Sequence, residues 1–136
     1  MDKGFHVLYD LASQKLPSAN TSVVVTRSFL NANKAVVQRY VDSLVQGIKK
    51  LKADRPFGID VLKKYFKSTD DKAMGATYDF YAQLVTATQP FAKPEMFADA
   101  QTILGAKSDK VKAYDVTKML DTSFVQSAVD RGLDKN

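Results

Sequence analysis

Chemistry needs ionisable or nucleophilic side chains in company, and this chain offers few. Its single histidine, His6, lies between Phe5 and Val7, and with no cysteine in the chain it has no thiolate or second imidazole with which to hold a metal ion or activate a nucleophile. It reads as a structural or surface residue. Asp70 and Asp71 are adjacent carboxylates, the minimum for acid–base work, yet at the head of a helical stretch they fit the positive end of the helix dipole better than a buried dyad. Arg27 follows an apolar run and opens a turn. From there a guanidinium either holds an anionic group bidentately or bonds a local carboxylate or carbonyl, and it is the one candidate binding residue. Tyr65, Phe66, Tyr78, Phe80 and Tyr81 would make a stacking platform for a base or sugar, but their helical spacing places most of them in a core. No Gly-x-Gly-x-x-Gly, Walker or Gly-x-Ser-x-Gly loop is present. These residues supply no catalytic set, no metal site and no cofactor cradle, so the expectation is a protein that is not an enzyme.

The elements that would position such residues must come from one domain, since 136 residues suit a single core. With 45% hydrophobic and 26% charged residues the chain is neither disordered nor fibrous. No apolar run approaches the roughly 20 residues of a membrane helix. A net charge of +5 permits acidic partners, but 16 of the 20 basic residues are lysine, and nucleic-acid readers lean on arginine. The densest group, Lys49, Lys50 and Lys52, falls at a helix end where the dipole favours cations. Nucleic acid is therefore not expected as a partner. The first six residues lack the basic start and apolar stretch of an export signal.

The longest patterned stretch spans residues 21–52. Within Ser22-Val23-Val24-Val25-Thr26 the three valines are β-branched and uninterrupted by a polar residue, suited to a strand covered on both faces. From Lys34 the period changes to helical steps, with Val37, Tyr40, Val41, Leu44, Val45, Ile48 and Leu51 forming one apolar stripe behind an N-cap at Asn33. Phe5, Val7 and Tyr9 alternate as the inward face of an earlier strand. Pro56 opens a second helix with Ile59, Leu62, Tyr65 and Phe66 inward. A third helix from about Asp70 carries Met74, Tyr78, Tyr81, Leu84 and Val85. A fourth begins at Pro94 and stops at Gly105 as a left-handed cap, and a fifth follows Asp121 or Thr122 and ends at Gly132. The fold class expected is mostly α, an α+β arrangement of about five helices with two short N-terminal strands. Two strands make a poor sheet, so residues 22–26 are expected to pair with a second copy or with a sheet outside this chain.

The order Gly4-Phe5-His6-Val7-Leu8-Tyr9-Asp10-Leu11, then Val23-Val24-Val25-Thr26-Arg27-Ser28-Phe29-Leu30, Asn33 and the helix that follows, resembles a known family. Thr77-Tyr78-Asp79-Phe80-Tyr81, the turn between Pro90 and Pro94, and Asp121-Thr122-Ser123-Phe124-Val125 extend the likeness over nearly the whole chain. The family is the solute-binding proteins of ABC importers in the nitrate, sulfonate, taurine and thiamine-precursor group, and the resemblance is to their C-terminal portion. It implies a piece of a two-lobed α/β periplasmic-binding-protein fold. It further implies reversible, non-catalytic binding of a small-molecule ligand, delivery to a membrane permease, and a periplasmic or extracellular location. The segments that match the N-terminal part of that family are not in this sequence, so none of its binding residues carries over. A freestanding helical protein-interaction module is the alternative.

Overall fold

Helix α2, Lys34–Ala53, is the axis of the molecule, and its apolar spacing explains why. Val37, Val41, Val45 and Ile48 recur every three or four residues and are buried, as the periodicity predicts. The computed structural model describes His6, residues 8–10, Gln14, residues 17–19 and residues 21–135. Among these residues there are seven α-helices and no strand: α1 (Arg27–Ala32), α2, α3 (Arg55–Phe66), α4 (Asp71–Tyr78), α5 (Ala98–Gly105), α6 (Asp109–Lys112) and α7 (Ser123–Asp130).

The expected α+β class is thus corrected to all-helical over the described residues. Phe5 and Val7 of the first expected strand lie outside them, while His6, Leu8 and Tyr9 are exposed and form no ladder. Residues 22–26 are non-helical and unpaired, and Val23, Val24 and Val25 are 48%, 86% and 40% exposed. The physical reason is that a strand exists only through its neighbours. Valine favours an extended backbone, yet without a second strand no ladder forms. The stretch ends where Thr26 turns into a helix cap, its Oγ1 accepting from the Phe29 amide at 3.2 Å, so what reads as a turn after the valines is α1.

Asn33 sits at the head of α2, but its side chain does not cap it. Its amide nitrogen donates backward to the Phe29 carbonyl at 3.0 Å, closing α1. Asp54 joins α2 to α3 with a single residue, its carboxylate accepting from the Phe57 amide at 3.1 Å ahead of Pro56. Asp70 caps α4 by accepting from the Ala73 amide at 2.9 Å. Helix α4 then widens into a π-helical run, Asp79–Val85. Two α2–α3 cations hold this junction: Arg55 grips Asp79 through Nε and Nη2 at 2.9 and 2.8 Å, and Lys52 donates to the Ala82 carbonyl at 2.7 Å.

Two contacts make the interior. On one side of α2, Val37, Val41 and Val45 pack with Ala128 of α7, flanked by Leu30, Phe124, Val125 and Leu133. Toward its C-terminal end, Tyr78 is buried and its hydroxyl donates to the Leu51 carbonyl at 2.5 Å. Tyr78 lies so close to α3 that only glycine fits opposite. A Cβ on Gly58 would meet the Tyr78 ring, with Cδ2 at 2.6 Å, and Leu51 Cδ1 at 3.1 Å. Gly105 likewise has a packing role, because a Cβ there would come within 3.1 Å of Lys112 on α6. The left-handed caps are instead Lys67 after α3 (φ 52°) and Gly132 after α7 (φ 73°).

Expected but uncovered are Tyr40 and Leu44 on α2, and Tyr65 and Phe66 on α3, the last two 78% and 64% exposed. The side chain of Leu84 lies outside the described set. Among the described residues these uncovered side chains, with Phe57, Tyr81, Ile103 and Leu104, leave apolar surface that the helices do not cover.

Gly58→Ala is expected to destabilise the fold by about 1–3 kcal/mol, the overpacking against Tyr78 outweighing the gain in helix propensity. Urea denaturation followed by circular dichroism would measure it, and a more stable variant would contradict the close approach.

Candidate functional site

Each residue that could do chemistry has a structural partner or stands apart. Arg27 Nη2 donates to the Lys118 carbonyl at 2.9 Å, tying the start of α1 to the 3₁₀ turn Val116–Met119, 91 residues away in sequence. That is the structural alternative weighed for this residue, and no carboxylate bridges to it among the described residues. Asp70 caps α4, and Asp71 pairs with Lys63 at 2.6 Å, so the adjacent carboxylates face different partners and form no dyad. His6 is exposed. Among the described residues no three histidine, aspartate or glutamate side chains converge to hold a metal ion.

The lysine group is spent locally. Lys50 pairs with Asp54 at 2.7 Å and lies over the Phe57 ring at 5.0 Å, while Lys52 is committed to the Ala82 carbonyl. The aromatics divide. Tyr78 is core; Phe80 and Tyr81 meet edge to face at 5.0 Å on the outside of the π-helical run, and Tyr65 and Phe66 are bare. The reading of most of them as core therefore holds for Tyr78 and fails for Tyr65, Phe66 and Tyr81, because their stripe has nothing packed on it.

The cavities match this picture. One open depression of about 470 Å³ is lined by Val36, Arg39, Tyr40, Ser43 and Leu44 on the outer side of α2. Another of about 420 Å³ lies between Gln46, Lys49, Lys50, Ala53, Gly132 and Leu133. Neither encloses a small molecule, as a ligand site of drug-like size would.

What stands out is the segment before α1. At one side of it the Ala19 amide donates to the Met96 carbonyl at 3.2 Å, and at the other Arg27 is tied to Lys118. Between these tethers none of residues 21–25 makes a hydrogen bond. Five consecutive residues thus present free backbone donors and acceptors beside three exposed valines. Such a row is a template for pairing with another strand. The sequence signalled the valines; it gave no sign of the two tethers, which join residues 77 and 91 positions apart.

The electrostatic anchor of the fold joins α2 to the end of α7. Arg131 grips both oxygens of Asp42, with Nη1 to Oδ2 at 2.9 Å and Nη2 to Oδ1 at 2.5 Å. Gln38 donates to the same carboxylate at 2.7 Å and to the Phe124 carbonyl at 3.0 Å. The Arg131 hydrogen bond is the largest influence holding the Asp42 carboxyl below its ordinary range; partial desolvation opposes it and Gln38 assists. A carboxyl depressed in the folded state adds stability above its unfolded value of about 4, and that stability is lost as pH falls through the lower folded value. Asp42→Asn is therefore expected to lower the melting temperature at neutral pH and to shrink the difference between neutral and pH 3. Melting curves at the two pH values check this, and an unchanged difference would refute it.

No family model, curated protein or solved structure matches the chain.

Proposed function

We propose that this chain works as the C-terminal portion of the solute-binding component of an ABC-type importer. In that role it catalyses nothing: with further polypeptide it holds a small molecule reversibly on the outer side of the cytoplasmic membrane and passes it to a permease. The ordered likeness of residues 4–52, 77–81, 90–94 and 121–125 to that group supports the reading. The observation that carries it is the bare valine segment. Residues 21–25 combine apolar side chains with unmet backbone groups, a surface that becomes stable when more protein is laid against it. The open depressions agree, since a cleft that closes over a solute would need walls beyond these helices.

A freestanding helical interaction module is the second reading, favoured by Phe57, Tyr65 and Phe66, which are exposed on α3 and would suit a partner helix.

Interrupting the reading frame within the codons for residues 34–53 is expected to reduce uptake of one radiolabelled solute among nitrate, taurine, an alkanesulfonate and a thiamine precursor. Restoring the intact frame should restore it. Normal uptake of all four would sink the transport reading, and normal uptake with loss of a co-purifying protein would favour the module.

A further inference from the structure

The tethered segment has a property beyond being uncovered: its side-chain order reads nearly the same in both directions. About Val24 the sequence runs Ser22-Val23-Val24-Val25-Thr26, a hydroxyl at each end and valines between. We infer that residues 22–26 are a homodimerisation element, pairing antiparallel with the same residues of a second copy about a two-fold axis at Val24. It uses the same bare segment as the transport reading but not the family likeness, and sedimentation tests it apart from the uptake experiment.

In that register Val24 faces Val24, Val23 faces Val25, and Ser22 faces Thr26. Every cross-strand pair is apolar with apolar or hydroxyl with hydroxyl, and no charge opposes another. A two-fold interface must be self-complementary in this way, because one patch meets its own copy. The exposures agree with an extended chain lying on its own protein. Val23 and Val25 point to one side and are about half covered, whereas Val24 points to the other and is 86% exposed. Pairing satisfies the free amides and carbonyls of alternate residues along the segment, which no other described residue meets. The segment is held near both ends by the Ala19–Met96 and Arg27–Lys118 bonds, which limits the freedom left to lose when the copies meet. Its length is bounded at Arg27, where α1 begins. Two strands alone are marginal in water, and each copy brings cover with it: α1 follows directly, carrying a half-exposed Phe29.

Sedimentation velocity on the purified chain across the micromolar range is expected to show a monomer–dimer equilibrium. Val24→Lys would set like charges directly opposite and raise the dissociation constant by about tenfold or more, whereas Val24→Thr, a good strand former, would leave it within a few-fold. Because Val24 touches little of its own chain, the helical signal should be unchanged in both. The chain has no cysteine, so Val24→Cys carries a single thiol, and with diamide as oxidant it should form a disulfide dimer much faster than Lys107→Cys. A chain that stays monomeric throughout would overturn the proposal and leave the segment to a sheet in another polypeptide. A dimer indifferent to Val24→Lys, or equal crosslinking at positions 24 and 107, would equally overturn it and point to the bare helix faces.

Discussion

The structure depends on the seating of α7 against α2. Val45 and Ala128 are both fully covered, and they are covered by each other's surroundings: the small side chain on α7 lets the valine ridge of α2 approach closely. The Arg131–Asp42 grip and the Gln38 bond to the Phe124 carbonyl fix the angle at which the helices meet. Helices α1 and α3 join α2 directly, and the π-helical run is tied to it through Lys52. Unseating α7 would strip cover from Val37, Val41 and Val45 together, and little apolar packing would remain at that end of the molecule.

The same helix shows how unevenly its apolar character is used. Its buried stripe runs through positions 37, 41, 45 and 48, while Val36, Tyr40 and Leu44 lie beside it in the open. Roughly half of an apolar circumference is covered. Among the described residues no charged or polar residue is buried, and the anomaly is the apolar surface left outside.

What the sequence made legible follows from which interactions are local. The bounds of α2, the first-turn Pro56 of α3 and the buried Val37–Val41–Val45 ridge were readable because helix bonds and helix faces repeat within four residues. The strand expected at residues 22–26 did not form because ladder bonds depend on a distant neighbour, and the propensity of three valines says nothing about whether one exists. Coverage was equally hidden: Tyr40, Tyr65 and Phe66 carry the spacing of a core face but meet no partner. The glycines tell the same story. Gly105 reads as a stop, whereas α6 passes close beside it, and at Gly58 the Tyr78 ring comes too near for a methyl group, facts that exist only in three dimensions. For the candidate site, the apolar run and Arg27 were visible, and the Lys118 and Met96 anchors at its two ends were not.

The bond between Asp42 and Arg131 spans 89 positions, and this separation shapes how the protein is made. A ribosome adds about 5–20 residues each second, so the valine ridge of α2 waits roughly 4–18 s for the helix that will shelter it. During that interval the nascent chain shows water an apolar stripe with no native cover. Early termination before α7 would leave that stripe bare for good, and such products are ready substrates for chaperones and proteases.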